Sequence, residues 1–196
     1  MIRVGITGGI GSGKTTVCNV FALLGIPVYS SDAAAKLVLE EKEVIKQIAQ
    51  MAGDVLTADE RINRKKLSDI VFNNKEKLDQ LNAIVHPAVG RHFENWCAVH
   101  KDAPYILKEA AILFESGAYK QVEKIIAVTA PKALKMQRAM KRDGFSEKQV
   151  EERMNNQLSD EEKIKRSDYS ILNDEQQLII PQVLKIHALL LEAAEN

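Results

Sequence analysis

The stretch Gly8-Gly9-Ile10-Gly11-Ser12-Gly13-Lys14-Thr15 matches the pattern G-x-x-x-x-G-K-[ST] in full. Its flanks decide what the match means. Residues 2–6 are an apolar segment with the length of a buried strand, and residues 15–24 carry Val17, Val20, Phe21 and Leu24 at helical spacing. Strand, glycine-rich loop and helix form the setting in which the pattern becomes a phosphate site. Glycines let the backbone curl closely round an anion, so that successive N–H groups point inward. The helix start adds unpaired N–H groups and the positive end of its dipole. In this reading Gly9, Gly11, Ser12, Gly13, Lys14, Thr15 and Thr16 hold the phosphates of a nucleotide. Lys14 reaches the β- and γ-phosphates, and the Thr15 hydroxyl is the metal-side ligand for Mg²⁺.

The rest of the composition narrows the class. A chain of 196 residues suffices for one domain with a sizeable core, or one core with insertions. Lys and Arg number 27, and so do Asp and Glu, so the formal net charge is zero. No global electrostatic case exists for nucleic acid or a membrane surface, and any anion site must be local. Cys18 and Cys97 stand far apart with no C-x-x-C spacing and read as buried thiols of a reduced compartment. The strand and phosphate loop begin at residue 2 and no apolar run approaches a membrane span, so the expected location is the cytoplasm.

Further strands are expected at residues 27–30, 104–108, 122–129 and 169–172, with Ile125-Ile126-Ala127-Val128 as a continuous apolar run. Such runs suit a parallel sheet covered on both faces. Gly25 fits the residue after a helix end, and Ser31 or Asp32 can cap a helix beginning near residue 33. Residues 41–100 read as helical, with breaks near 53–63 and at His86-Pro87, where Pro87 fits a first turn. A closing amphipathic helix is expected over 175–194. Strands alternating with helices make the class α/β: a P-loop NTPase fold with a parallel five-stranded sheet flanked by helices. As a single P-loop kinase domain, the chain divides into a core (about 1–35, 104–130 and 167–196), a helical acceptor-binding insertion (about 36–103) and a helical lid (about 131–166).

The segment after the fourth strand, Ala130-Pro131-Lys132, lacks the N-K-x-D guanine reader of a GTPase. A short chain with two helical excursions favours a small-molecule kinase over a motor or transporter ATPase. Lys132, Lys135, Arg138, Lys141 and Arg142 fall within residues 132–142 with no acid among them, and Arg138 and Arg142 share a helix face. Two guanidiniums on one face suit a triphosphate whose transferred oxygens carry charge in the transition state; a solvated helix face is the competing reading. Asp32, just past the second strand, can take the proton of an acceptor hydroxyl or merely start a helix. Glu109 and Glu115 flank Ile112-Leu113-Phe114 and can face a metal-held water or the acceptor, or start a helix.

With these residues in view, the chain resembles the dephospho-coenzyme A kinase family over nearly its whole length. Residues 6–16 resemble the family's T-G-G-I-G-S-G-K-[ST]-T, and Leu24-Gly25 and Asp32 fall at its L-G and D-A-D. Val71-Phe72, Leu81 and His86-Pro87 resemble V-F…L…H-P, and Leu113-Phe114-Glu115-Ser116-Gly117 resembles L-F-E-S-G. Gln137-Arg138, Arg142-Asp143-Gly144, Arg153 and Gln157 resemble the lid signature, and Asp168-Tyr169 with Asn173 the closing A-D-[YF]-x-[IL]-x-N. The resemblance implies Mg²⁺-dependent transfer of the ATP γ-phosphoryl group to the ribose 3′-hydroxyl of dephospho-coenzyme A. It implies Asp32 as general base, Lys14, Arg138 and Arg142 as catalytic cations, and Asn173 near the adenine. It puts His86, Leu113, Phe114 and Glu115 near the acceptor. This sequence departs from the family in three places: Ser30 stands for the first Asp of D-A-D, Glu109 for a frequent Asp and Ala111 for a frequent Pro.

Overall fold

A computed structural model describes residues 1–72 and 74–195. The chain forms two compact units: Met1–Ser30 with His100–Asn196, and Ser31–Val99.

The first unit is built on a sheet whose five described strands are all parallel: β1 (Ile2–Thr7), β2 (Val28–Ser30), β3 (Tyr105–Glu109), β4 (Lys124–Thr129) and β5 (Tyr169–Leu172). Their order is β2-β3-β1-β4-β5. β1 is the central strand, with Val4 beside Leu107 of β3 and Ile6 beside Ile126 of β4. Strand order reverses direction around β1, so the loop leaving its C-terminal end opens at a topological switch point, where open α/β sheets bind ligands. The first helix, α1 (Lys14–Leu23), buries Val17, Cys18 and Phe21 against a core that includes Val4, Ile6, Leu107, Ile126 and Ile171. Leu24 lies on that stripe in sequence but is exposed, because it is the flanking residue at the helix end. The helix closes as expected at Gly25, which has φ 84°. The Gly25 N–H bonds the Ala22 carbonyl and the Ile26 N–H bonds that of Phe21, a Schellman pair that satisfies two terminal carbonyls.

The second unit is helical: α2 (Ser31–Val38), α3 (Lys42–Ala52), α4 (Arg64–Phe72) and α5 (Lys75–Val99). Val38, Val44, Ile48, Val55, Ile62, Leu67 and Ala88 form its core. The expected break between 53 and 63 is a small turn closed by a bridge between Leu56 and Ile62. Two expectations are corrected here. α2 follows β2 with no linker and begins at Ser31, so Asp32 lies inside the first turn rather than capping it. Its charge still sits at the positive end of the helix. Pro87 begins no helix: α5 runs through it, because long-range packing of Ala88 and Phe93 outweighs one lost backbone bond.

Returning to the first unit, the charged segment after β4 is three helices: α6 (Lys132–Asp143), α7 (Glu147–Asn155) and α8 (Asp160–Lys165). Gly144, with φ 67°, ends α6. Ser146 and Gln149 form a reciprocal capping box that starts α7. The last helix, α9 (Ile179–Glu195), starts four residues later than expected. The Asp174 carboxylate accepts from the N–H groups of Gln176 and Gln177 and holds that stretch in a turn.

Candidate active site

The phosphate loop joins β1 to α1, as its flanks predict, and two glycines there are required by contact as well as conformation. Gly11 has φ 77°, and a Cβ on it would stand 2.2 Å from the backbone oxygen of Lys135. Gly13 has φ 91°, and a Cβ on it would stand 2.0 Å from Nδ2 of Asn173. Both are left-handed positions that side-chain-bearing residues avoid. Lys14 folds back over the loop, its Nζ donating to the carbonyl of Gly8 at 2.9 Å and to that of Gly9 at 3.4 Å. Ser12 is wholly buried, and its N–H donates to the Gly9 carbonyl at 3.1 Å, so neither its hydroxyl nor its N–H is open to an anion here.

The basic helix resolves into two groups. Arg138, Lys141 and Arg142 line a cleft of about 500 Å³ together with Gly11, Gly13, Lys14, Thr15 and Thr16. That brings the expected guanidinium pair onto the phosphate loop and adds Lys141, which the sequence presents as one cation of a run. Arg142 also forms a two-pronged bond with Asp143, at 2.8 Å on each arm, which holds the Asp143 carboxyl below the usual range. Lys135 points elsewhere. Its Nζ pairs with Asp160 at 2.6 Å, and the two side chains are 12% and 18% exposed. The Gln157 side-chain oxygen accepts from the Ile10 N–H at 2.9 Å, so the α7–α8 turn also touches the loop.

Arg138 is tightly placed. Its Nη1 donates to the backbone oxygen of Asn173 at 3.1 Å, and its Nη2 to Oδ1 of Asn173 at 3.3 Å and to Glu175 at 2.9 Å. Asn173 in turn donates from Nδ2 to the Ser12 carbonyl at 2.9 Å. Both ends of the Asn173 amide are therefore engaged within the protein, beside the phosphate loop.

At the end of β3, Thr15 donates its hydroxyl to Glu109 at 3.0 Å. A hydroxyl and a carboxylate are hard oxygen donors, and Mg²⁺ takes one or two such protein groups with phosphates and waters completing its shell. The pair fits that ion. Cys18 lies behind it on α1, and burial, reinforced by the Glu109 charge, pushes its thiol pKa up. It is an inert buried thiol, as is Cys97. Leu113 and Phe114 are buried in a small cluster with Ala110 and Ile125. The Glu115 carboxylate accepts from the Leu158 N–H at 2.8 Å and stands 3.4 Å from Nζ of the buried Lys163, which also donates to the Ala111 carbonyl. The sequence gives no signal for Lys163, since a lysine in a charged helix has no local mark of burial.

Asp32 and His86 belong to the helical unit. Asp32 is exposed on the first turn of α2, two residues past the end of β2. His86 is half-buried on α5, and burial lowers its pKa.

The family profile for dephospho-CoA kinase matches residues 2–178. A dephospho-CoA kinase of Bacteroides fragilis is 40% identical over 191 residues, covering 96% of this chain and 93% of that one. Among solved structures, one from Thermus thermophilus has a TM-score of 0.86 at 32% identity, over 96% of each chain. The dephospho-CoA kinase from Campylobacter jejuni has a TM-score of 0.72 at 28% identity, over 97% of this chain and 98% of that one. With the profile spanning nearly the full length and the relatives this similar end to end, the chain belongs to the dephospho-CoA kinase family.

Proposed function

We propose that this protein transfers the γ-phosphoryl group of ATP to the 3′-hydroxyl of dephospho-CoA, giving CoA and ADP. The observation that carries the reading is a cleft lined jointly by the phosphate loop and by Arg138, Lys141 and Arg142. Phosphoryl transfer needs little covalent help from a protein and much positioning and charge stabilisation. Backbone N–H groups of the loop and Lys14 hold the β- and γ-phosphates. Arg138 and Arg142 meet the charge that grows on the transferred oxygens. Asp32 takes the proton of the acceptor hydroxyl. Thr15 and Glu109 hold Mg²⁺, which when bound neutralises phosphate charge. The residues 131–166 act as a lid over the phosphates, and residues 36–103 as the acceptor-binding part. His86, Leu113, Phe114 and Glu115 belong to the acceptor side. The same reading puts the enzyme in the cytoplasm, in keeping with two buried cysteines that are not joined in a disulfide. Among the described residues, no helix is long and apolar enough to cross a membrane.

The test is ADP release with ATP and Mg²⁺, run with dephospho-CoA, with nucleoside monophosphates and with no acceptor, each product checked by mass. Turnover confined to dephospho-CoA and yielding CoA is the expected result. Turnover with a different acceptor would keep the chemistry and overturn the substrate, and acceptor-independent behaviour would point to a nucleotide switch. In the same assay Asp32→Asn should abolish most turnover while ATP still binds; near-normal turnover would remove Asp32 as the base.

A further inference from the structure

We propose that Asn173 is a positioning residue for phosphoryl transfer, joining the phosphate loop to Arg138 and fixing that guanidinium over the cleft. The inference rests on the role given to Arg138 above. Four bonds meet at this residue, which is 7% exposed. Its N–H donates to the Thr129 carbonyl at 2.8 Å, which anchors it to the end of β4. Its Nδ2 holds the Ser12 carbonyl, and its Oδ1 and backbone oxygen receive the two terminal nitrogens of Arg138. A planar guanidinium bound at two nitrogens by one residue has little freedom to swing. The amide stands so close to Gly13 that no side chain fits between them, so loop, amide and guanidinium form one packed unit. An aspartate in the same place would set a carboxylate oxygen against the Ser12 carbonyl. Asparagine is the side chain of this shape that can donate to one partner and accept from the other.

Glu175 completes the fork from the far side. It bonds Arg138 from a left-handed backbone position, φ 65°, that non-glycine residues seldom adopt. Arg138 is thus aimed by residues on the β5–α9 connection and not by its own helix.

The experiment is a kinetic cycle on the full-length enzyme with ATP, Mg²⁺ and dephospho-CoA, using Asn173→Ala, Arg138→Ala and the double variant. Asn173→Ala should lower kcat about a hundredfold, the cost of an ångström-scale misplacement of a catalytic group. In the Arg138→Ala background the same substitution should lower kcat no more than about threefold, because its effect passes through the missing arginine. Losses that multiply would overturn the proposal, as would an Asn173→Ala enzyme with wild-type kcat. Melting temperature with ADP present checks folding. Asn173→Ser, too short to reach Arg138 but still polar, carries the same cycle should the alanine variant not fold. Failure of the reaction reading is separately visible: wild-type enzyme would make no CoA. Failure of the Arg138 role would show as normal kcat in Arg138→Ala alone. Either would take this proposal with it.

Discussion

The two sides of the phosphate loop use the same kinds of side chain to opposite ends. Beside Gly11–Thr16, Arg138, Lys141 and Arg142 line an open cleft. Beside Gly9 and Ile10, Lys135 is paired with Asp160, both side chains mostly buried, and Gln157 has taken the Ile10 N–H. On the first side Arg138 and Arg142 have carboxylate partners as well, Glu175 and Asp143, yet three cations line one cleft with the loop. The other side also opens on a space, of about 360 Å³, but there the cation Lys135 is matched by the Asp160 carboxylate and a loop N–H is taken by Gln157. Lys135, Arg138 and Arg142 stand three and four residues apart and share one helix face, so position along the axis of α6, and what each level packs against, separates their environments.

This contrast can be broken from either side. The largest effect is expected on the Arg138 side. Arg138→Ala should lower kcat on the order of a thousandfold, by analogy with arginines that meet a transferred phosphoryl group, with KM for ATP changing much less. A loss confined to KM would mean that Arg138 holds the ground state only. On the Lys135 side, Asp160→Ala strands a mostly buried ammonium, and about 3 kcal/mol of stability should be lost, read by urea unfolding. Replacing the pair together, Lys135→Met with Asp160→Leu, should come out near neutral; a cost as large as the single variant's would mean the pair itself stabilises the fold. Arg142→Ala should behave in the reverse way. Its stability should change by less than about 0.5 kcal/mol, since its partner lies in an exposed pair. Its kcat/KM should fall by about tenfold or more.

The smallest expected effect lies away from the loop, at His86. Burial lowers its pKa from the ordinary 6.5. The unfolded chain then takes up the proton first as pH falls, so stability is full above about 6.5 and declines on acidification below it. His86→Gln should flatten that decline in melting curves recorded from about pH 8 to pH 5. An unchanged slope would assign the acid sensitivity to other groups.

Much of this site is legible in the amino-acid sequence. A glycine-rich loop needs its strand and helix flanks, and both are written in local apolar spacing. Gly25 marks the end of α1 because a left-handed turn there excludes most other residues. The expectations that needed correction share a cause. Pro87 reads as a helix start, but packing along α5 carries the helix through it. Asp32 reads as a cap, but an immediate strand-to-helix junction moves the boundary by two residues. Nothing local marks the partners of Lys163 and Lys135, because Glu115 and Asp160 stand 48 and 25 positions away in sequence.

Sequence by itself determined the alternation of strands and helices, the phosphate loop, the pairing of Arg138 with Arg142 on one helix face and the family resemblance. All of these rest on short-range spacing, where the backbone period fixes which side chains are neighbours. Only the tertiary structure decided which cations line the cleft with the phosphate loop, that Thr15 meets Glu109 and that Asn173 grips both Ser12 and Arg138. Those contacts join segments 94, 161 and 35 residues apart. Burial and hydrogen-bond completion select them, and neither has a local signature, because each depends on what the rest of the chain brings alongside.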